Sequence, residues 1–332
     1  MKRRILGKNG PSVSALGLGC KRMSNFPGTV ISRYSTGDDE SVATIEAALD
    51  AGINLLNTGD FYGMGHNELL VRQAIRNRRD QAFLSVKFGA QKSPSGRFLG
   101  ADLRGKSVKN YAAYSLQRLD VEVIDLYQPG RLDPTIPIEE TVGAIVDLIQ
   151  EGKVRYLGLS EVSAAQLRKA HSIYPVSALE IEYSLTTRFI EREILATARE
   201  LGVSIVAYNV FSNGQLARSG KTGSGSGDYR SSLLRFLKDT VSRDREKWSF
   251  LDSLAAARDC TPAQLALAWT LAQGNDIVPL VGMSRRSRLP ENIAALDIAL
   301  SADDLSELNQ LFAPDTTVRE RGPQHVRRLS FR

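Results

Sequence analysis

Short apolar runs alternate with longer amphipathic segments along most of this chain. Eight of the apolar runs have the length of a β-strand, at residues 15–19, 53–57, 82–87, 123–128, 156–160, 178–183, 204–209 and 277–281. Helix-like patterns lie between them, at residues 40–51, 67–77, 107–119, 138–151, 164–173 and 188–201. Strands that alternate with helices predict a parallel sheet wrapped in helices. Eight such units in 332 residues suit an α/β barrel.

The two ends of this pattern carry signals of their own. Residues 3–16 predict an antiparallel hairpin with an Asn-Gly turn at residues 9–10. Towards the other end, Pro262 directly after a threonine predicts the first turn of a helix. Ser301 and Asp304 have the spacing of an approximate capping box, which predicts the start of a final helix.

Two long segments interrupt the alternation, at residues 21–37 and 212–247. The second contains the Gly-Ser run 222–227, and such a composition predicts a flexible chain in isolation. It is equally consistent with a surface linker and with a mobile flap over a ligand, because the loops after barrel strands form the working face. No repeat and no second domain are evident, so we expect one domain over residues 1–332, with a basic tail at 313–332.

Composition and charge exclude several classes of protein. No apolar run reaches the roughly 20 residues of a membrane helix, and the spacing of Cys20 and Cys260 does not indicate a metal site. Two cysteines favour a reduced, cytoplasmic setting. Much of the net charge of +6 lies in the tail and in residues 285–288, without an aromatic-interleaved basic stripe. We therefore expect no nucleic-acid, membrane or metal partner.

The candidate chemistry centres on a tyrosine and a lysine, each after a predicted strand. Residues 57–63 read Asn-Thr-Gly-Asp-Phe-Tyr-Gly, and the next strand ends in Lys87-Phe88-Gly89. An ammonium beside a phenol stabilises the phenolate, which makes tyrosine a usable proton donor. With Asn-Glu following at residues 67–68, these segments resemble the aldo-keto reductases, which reduce carbonyls with NADPH inside a (β/α)8 barrel. The resemblance extends from the hairpin to the final helix. It implies that Tyr62 is the general acid and that Lys87 lowers its pKa.

Two other catalytic positions of that family are altered here. The family's aspartate, which pairs with the lysine, aligns with Asn57, whose amide accepts a hydrogen bond but brings no charge. Lys87 should therefore lose proton affinity while its field at Tyr62 is less neutralised, so the sign of the net effect on the tyrosine's pKa stays open. The family's histidine aligns with Pro129, which has neither a side-chain donor nor a backbone N–H. Losing such a donor can cost ~3 kcal/mol, and none of the three histidines is an obvious replacement.

The resemblance also implies where the nicotinamide lies. Ser160 and Glu161 match the pair that holds its amide group, and Tyr208 matches the aromatic residue that stacks on its face. The family's next contact, a glutamine, is Glu180 in this chain. A carboxylate accepts from the amide but cannot donate to it, and it favours the positively charged oxidised ring. We therefore hypothesise that bound cofactor tends to stay oxidised. The test is whether the reduction potential of the bound cofactor changes in the Glu180→Gln variant.

Two further segments match the phosphate-binding parts of the family. They provide Asn209, Gly214 and Leu216 in a turn that resembles the pyrophosphate site, and Ser284, Arg285, Arg288, Glu291 and Asn292 after the last strand. In the second segment, serine and arginine residues at a helix start form an anion site. It is similar to the family's 2′-phosphate pocket, with the glutamate and asparagine placed to hold the adenine. The implied cofactor is NADP(H) rather than NAD.

Three functional hypotheses follow. The leading one is hydride exchange between NADP(H) and a small carbonyl or alcohol substrate. The second is redox-neutral chemistry with bound NADP, such as an elimination or epimerisation, which Glu180 and the missing histidine motivate. The third is a non-catalytic nucleotide-sensing module, which predicts NADPH binding without turnover and indifference to Tyr62→Phe. The sequence carries no signature of the substrate or of the oligomeric state.

Overall fold

The computed structural model describes residues 1–24, 37–218 and 244–314. Its strands are β1 (Arg3–Ile5), β2 (Ser12–Ser14), β3 (Gly17–Gly19), β4 (Leu55–Gly59), β5 (Phe83–Phe88), β6 (Ala90–Lys92), β7 (Phe98–Ala101), β8 (Ile124–Pro129), β9 (Val154–Ser160), β10 (Val176–Glu182), β11 (Ser204–Tyr208) and β12 (Ile277–Gly282). The Gly-Ser run 222–227 and most of the predicted basic tail lie outside the described residues.

All eight predicted strands form, and they close into one parallel barrel in the order β3-β4-β5-β8-β9-β10-β11-β12. The first and last strands meet, since Gly17 of β3 pairs with Leu280 of β12. The (β/α)8 barrel predicted from the sequence is therefore confirmed. The apolar runs predict these strands well because a barrel strand is covered by helices on one face and by the interior on the other.

Helices surround the barrel. They are α1 (Asp38–Asp50), α2 (His66–Ile75), α3 (Gly105–Leu119), α4 (Ile138–Gln150), α5 (Ala164–Ile173), α6 (Ile194–Leu201), α7 (Arg245–Ala257), α8 (Pro262–Ala272), α9 (Leu289–Ala294) and α10 (Ala302–Leu311). The predicted capping box is present, because Ser301 Oγ accepts from the Asp304 N–H and Asp304 Oδ2 accepts from the Ser301 N–H. The helix predicted over residues 188–201 is wrong in its first part, where a 3₁₀ turn, Phe189–Glu191, precedes α6.

The N-terminal hairpin closes the amino end of the barrel. Strands β1 and β2 pair antiparallel, as predicted. Their connection is longer than the predicted Asn-Gly turn, because residues 6–11 join them and the Leu6 N–H donates to the Pro11 carbonyl at 3.0 Å. Gly7 (φ +77°) takes the left-handed conformation there. Leu6 and Val13 are fully buried and pack against the apolar residues of the barrel interior.

One feature at the carboxyl end was not predicted. Directly after β5, strands β6 and β7 form a small antiparallel hairpin beside the opening of the barrel. The part of the chain that the structure describes contains no cluster of side chains able to hold a metal ion. It also contains no helix with the length and apolar character needed to cross a membrane.

Candidate active site

The predicted catalytic positions meet at the carboxyl end of the barrel. Asn57 lies on β4 and Lys87 on the neighbouring β5, and Tyr62 begins the 3₁₀ turn that follows β4. The Lys87 Nζ lies 5.2 Å from the centroid of the Tyr62 ring, and the same ammonium donates to Asn57 Oδ1. Tyr62 is 9% exposed and Lys87 4%. The buried lysine and tyrosine are therefore close enough for the charge of one to act on the phenol of the other.

A carboxylate on the opposite side of the barrel completes this arrangement. Glu180 Oε1 lies 2.9 Å from Lys87 Nζ, and Oε2 of the same side chain lies 3.1 Å from it. Asn57 Nδ2 also donates to Glu180 Oε2, at 2.7 Å. From the sequence, Glu180 was predicted against the nicotinamide, and Lys87 was expected to have no charged partner. In the folded chain the two side chains form a buried ion pair.

Two residues that the sequence analysis did not assign to the site belong to the same network. Gln128 Nε2 donates to Glu180 Oε2 at 2.6 Å and to Ser85 Oγ at 3.1 Å. Ser85 Oγ also accepts from Asn57 Nδ2, at 3.1 Å. Ser85 lies two residues before Lys87, so the alternation of side chains along a barrel strand was an available signal for it. Gln128 directly precedes Pro129, and alternation gave no such signal for it.

The position where the resemblance implies a histidine is occupied by Pro129, and the next residue, Gly130, lies close to a neighbouring ring. Pro129 ends β8, and the Gly130 N–H donates to the Phe88 carbonyl at 2.9 Å. A Cβ on Gly130 would lie 3.1 Å from the Phe61 ring, which is a tight contact with the residue that precedes Tyr62. Of the two histidines in the described ranges, His66 lies 3.0 Å from Asp38 Oδ2, and the His171 ring accepts from the Val176 N–H. Neither takes the place of the family's histidine.

Arg131 brings a cation to this side of the opening. Its Nη2 lies 3.4 Å from Tyr208 Oη and 4.0 Å from Glu161 Oε2. Its Nη1 donates to the Gly130 carbonyl at 2.9 Å, and its buried Nε has no hydrogen-bond partner among the described residues. The sequence analysis did not assign Arg131, although it follows Pro129 by two positions.

The electrostatics keep Tyr62 a neutral phenol. Burial raises its pKa well above the usual value, the negative charge of Glu180 raises it further, and the positive charge of Arg131 opposes both. Burial also lowers the pKa of Lys87, and the charge and hydrogen bond of Glu180 work against that effect. Without Glu180, the desolvated ammonium would lose the group that most strongly favours its protonated form.

The predicted nicotinamide contacts lie on the strands next to this network. Ser160 ends β9 and is 1% exposed. Glu161 follows in the left-handed conformation (φ +53°), and its Oε1 accepts from Tyr208 Oη at 2.8 Å and from the Glu182 N–H at 2.9 Å. Tyr208 is thus held in place at the end of β11, whereas Glu180 lies deeper, within the lysine network.

The predicted pyrophosphate turn is compact. Asn209 (φ +58°) donates through Nδ2 to Glu182 Oε1, and its Oδ1 accepts from the Asn213 N–H. Gly214 follows in the left-handed region at φ +92°, and Leu216 is fully buried. The N–H groups of Gly214 and Leu216 both donate to the Phe211 carbonyl. These two N–H groups are therefore used within the turn itself.

The segment after β12 presents arginines at the surface. Arg288 Nη1 lies 3.1 Å from Glu291 Oε2, and Asn292 Nδ2 donates to the Arg288 carbonyl. Arg285 and Ser284 lie beside them, after Gly282, where a Cβ would meet nothing within 4 Å. Arg286 is different, because its guanidinium and its N–H both bind Glu40 of α1. The structure thus groups the predicted residues and separates Arg286 from them.

Comparison with known proteins supports the same interpretation. The model of the aldo/keto reductase family matches residues 15–313. A probable aldo-keto reductase of Glycine max is 38% identical over 309 residues, which cover 91% of this chain and 86% of that protein.

Solved structures are similar over almost the whole chain. A glycerol dehydrogenase of Gluconobacter oxydans is 27% identical, with a TM-score of 0.82 and 97% of each chain covered. An aldo-keto reductase of Bacillus halodurans in its holo form is 26% identical, with a TM-score of 0.78 and coverage of 98% of this chain and 99% of that one. The resemblance inferred from the Tyr62 and Lys87 segments is confirmed at the level of the family.

Proposed function

The chain belongs to the aldo/keto reductase family, and on that premise we propose that it transfers hydride between NADP(H) and a small carbonyl or alcohol substrate. One observation carries this proposal: the Lys87 ammonium lies 5.2 Å from the ring centroid of the buried Tyr62. The pair lies at the carboxyl end of the strands, where barrel enzymes carry out their chemistry.

In the direction of reduction, Tyr62 donates its phenolic proton to the substrate oxygen. Lys87 stabilises the phenolate that results, and Arg131 favours the same charge because its positive field lowers the pKa of Tyr62. In the direction of oxidation, the Tyr62 phenolate, stabilised by the Lys87 ammonium, accepts the proton of the alcohol.

The residues present suit a nicotinamide cofactor with a 2′-phosphate. When bound, that cofactor supplies or accepts the hydride. Ser160 and Glu161 offer a hydroxyl and a carboxylate to its amide group, and Tyr208 offers an aromatic face. Arg285 and Arg288 offer guanidinium N–H groups, which favour a phosphate over the hydroxyl of NADH. The accessible space beside Gly282 is consistent with this assignment.

The first experiment is a fluorescence titration of the protein with NADPH and with NADH. We expect Arg288→Ala to weaken NADPH binding about tenfold or more, as the loss of charge-assisted hydrogen bonds implies, and to leave NADH binding nearly unchanged. Arg286→Ala is the matched control, because that guanidinium is bound to Glu40. Binding of neither nucleotide by the unmodified protein would overturn the proposal.

The second experiment tests turnover. NADPH oxidation is followed with a panel of small aldehydes and ketones, and NADP reduction with the corresponding alcohols. Loss of a general acid costs about 10²- to 10⁴-fold, so Tyr62→Phe should abolish most of the activity while NADPH binding persists. Binding without turnover, and a cellular role indifferent to this variant, would favour the sensing module instead.

The redox-neutral alternative has less support than it had from the sequence. It depended partly on Glu180 as an isolated carboxylate beside the nicotinamide, and Glu180 is paired with Lys87. That alternative would be supported if the product were an isomer of the substrate, or the substrate less one water, and formed without net consumption of NADPH.

A further inference from the structure

We propose that Glu180 is the charge partner of Lys87 and a positioning residue for the proton transfer by Tyr62. The resemblance implies a carboxylate at position 57 on β4, whereas in this chain the carboxylate beside Lys87 lies on β10. The inference rests on the proposed function, because it assigns Glu180 a task in the same reaction.

The contacts of Glu180 commit it to this task. Its Oε1 lies 2.9 Å from Lys87 Nζ. Its Oε2 accepts from Asn57 Nδ2 at 2.7 Å and from Gln128 Nε2 at 2.6 Å, with Lys87 Nζ at 3.1 Å. Both oxygens therefore have donors inside the barrel. A carboxylate bound in this way is held in place by the lysine network.

The two changes compensate each other in charge. An aspartate-to-asparagine change at position 57 removes one negative charge beside Lys87, and a glutamine-to-glutamate change at position 180 restores one. The lysine therefore keeps a single carboxylate and a single amide as neighbours, with their strands exchanged. Asn57 still accepts from the ammonium and now also donates to the new carboxylate. Neither change alone preserves this balance.

Each single reversal should therefore be harmful, and the double reversal should not. Glu180→Gln leaves the buried ammonium with neutral partners only, which favours its deprotonated form. Asn57→Asp places a second carboxylate within hydrogen-bond distance of the first, and two such groups cannot both ionise readily. Asn57→Asp/Glu180→Gln returns one carboxylate and one amide, with the strands exchanged back.

The test measures kcat as a function of pH for these three variants and for the unmodified protein. For Glu180→Gln we expect kcat at pH 7 to fall at least tenfold, with part of the activity returning at lower pH, where Lys87 is protonated. The double variant should recover to within about threefold of the unmodified protein, with its pH profile. A cooperative urea-unfolding transition should persist in each variant, which shows that each variant is folded.

A second measurement does not need turnover. In protein labelled with ¹³C at the lysine ε-carbon, the Lys87 signal is assigned by its loss in Lys87→Arg and then followed against pH. The Lys87 midpoint should move down by at least one pH unit in Glu180→Gln and return in the double variant. An unchanged midpoint and pH profile in Glu180→Gln, or a folded double variant that recovers neither, would overturn the inference. If the unmodified protein reduces no carbonyl, the proposed function fails, whereas the lysine titration still decides the pairing.

Discussion

The interior of the barrel contains two adjacent layers that the same four strands build from opposite chemistry. The apolar layer contains Leu55, Phe83, Leu126 and Ala178, which pack together with the N-terminal hairpin. The polar layer, two positions further along each strand, contains Asn57, Ser85, Gln128 and Glu180, which are joined by hydrogen bonds. Two residues of chain thus separate a layer that holds the barrel together from a layer that supports its chemistry.

The difference shows how each layer tolerates change. The apolar layer depends on buried area and shape, so a substitution there costs stability in proportion to the space it leaves. The polar layer depends on satisfied donors and acceptors, and one atom, Gln128 Oε1, has no hydrogen-bond partner among the residues that the structure describes. Removing the charged member of that layer, Glu180, leaves its donors buried without an acceptor or with a poorer one. We therefore expect stability and activity to respond separately in the two layers.

The largest effect should come from breaking the ion pair of the polar layer. Lys87→Met leaves Glu180 buried without its cation, which typically costs about 3–5 kcal/mol of unfolding free energy. Activity should fall by roughly 10² or more, because Tyr62 loses the charge that stabilises its phenolate. Urea denaturation and NADPH oxidation measure the two losses. Lys87→Met/Glu180→Gln is the control: it should regain stability but not activity, and a double variant no more stable than Lys87→Met would contradict the pairing.

A cavity in the apolar layer should affect stability alone. Leu126 is fully buried among the interior residues, and Leu126→Ala should lower the unfolding free energy by about 3 kcal/mol. The kcat of the folded variant and its pH profile should stay within about twofold of the unmodified protein. A displaced pH profile would show that the two layers are coupled more tightly than their separate contacts indicate.

The strands were predictable because each contains a short, mostly apolar run between helix-like segments, and their ends were predicted to within a few residues. Tyr62, Lys87 and Asn57 were predictable as one group because they lie in two segments that end neighbouring strands. The pairing of Glu180 was not. It lies 93 positions from Lys87 and 123 from Asn57, and only closure of the barrel brings β10 opposite β4. A sequence motif records which residue follows a strand, but it does not record which side chain lies across the interior.

Asp60, which directly follows β4, shows how a carboxylate behaves without a cationic partner. Asp60 has no salt bridge within the described ranges, and its buried Oδ1 has no hydrogen-bond partner there. Burial raises the pKa of Asp60 to about 7, and the nearby charge of Glu68 adds to that rise. The folded protein therefore keeps a proton that the unfolded chain releases near pH 4. The contribution of Asp60 to the unfolding free energy should therefore fall as pH rises from about 4 to about 7.

Asp60→Asn tests this contrast. The variant should be more stable than the unmodified protein by roughly 3 kcal/mol at pH 6 and above, and the difference should shrink to roughly half a kcal/mol at pH 4, where the folded protein and about half of the unfolded chains hold the proton. Urea denaturation at pH 4, 6 and 8 measures it. A gain that is the same at all three pH values would show that packing, rather than an uncompensated charge, is what the substitution relieves.

The smallest effect should come from the only hydroxyl among the four residues of the polar layer, that of Ser85. Ser85 Oγ accepts from Asn57 Nδ2 and from Gln128 Nε2, each at 3.1 Å, but both amides also donate to Glu180. Ser85→Ala therefore leaves neither amide without a partner, and the unfolding free energy should fall by only about 1 kcal/mol. Because Lys87 keeps its carboxylate, the pH profile of kcat should not move. A shift in that profile would mean that the hydroxyl helps to orient Glu180. The polar layer would then act as one unit, and the ion pair would no longer be separable from the amides around it.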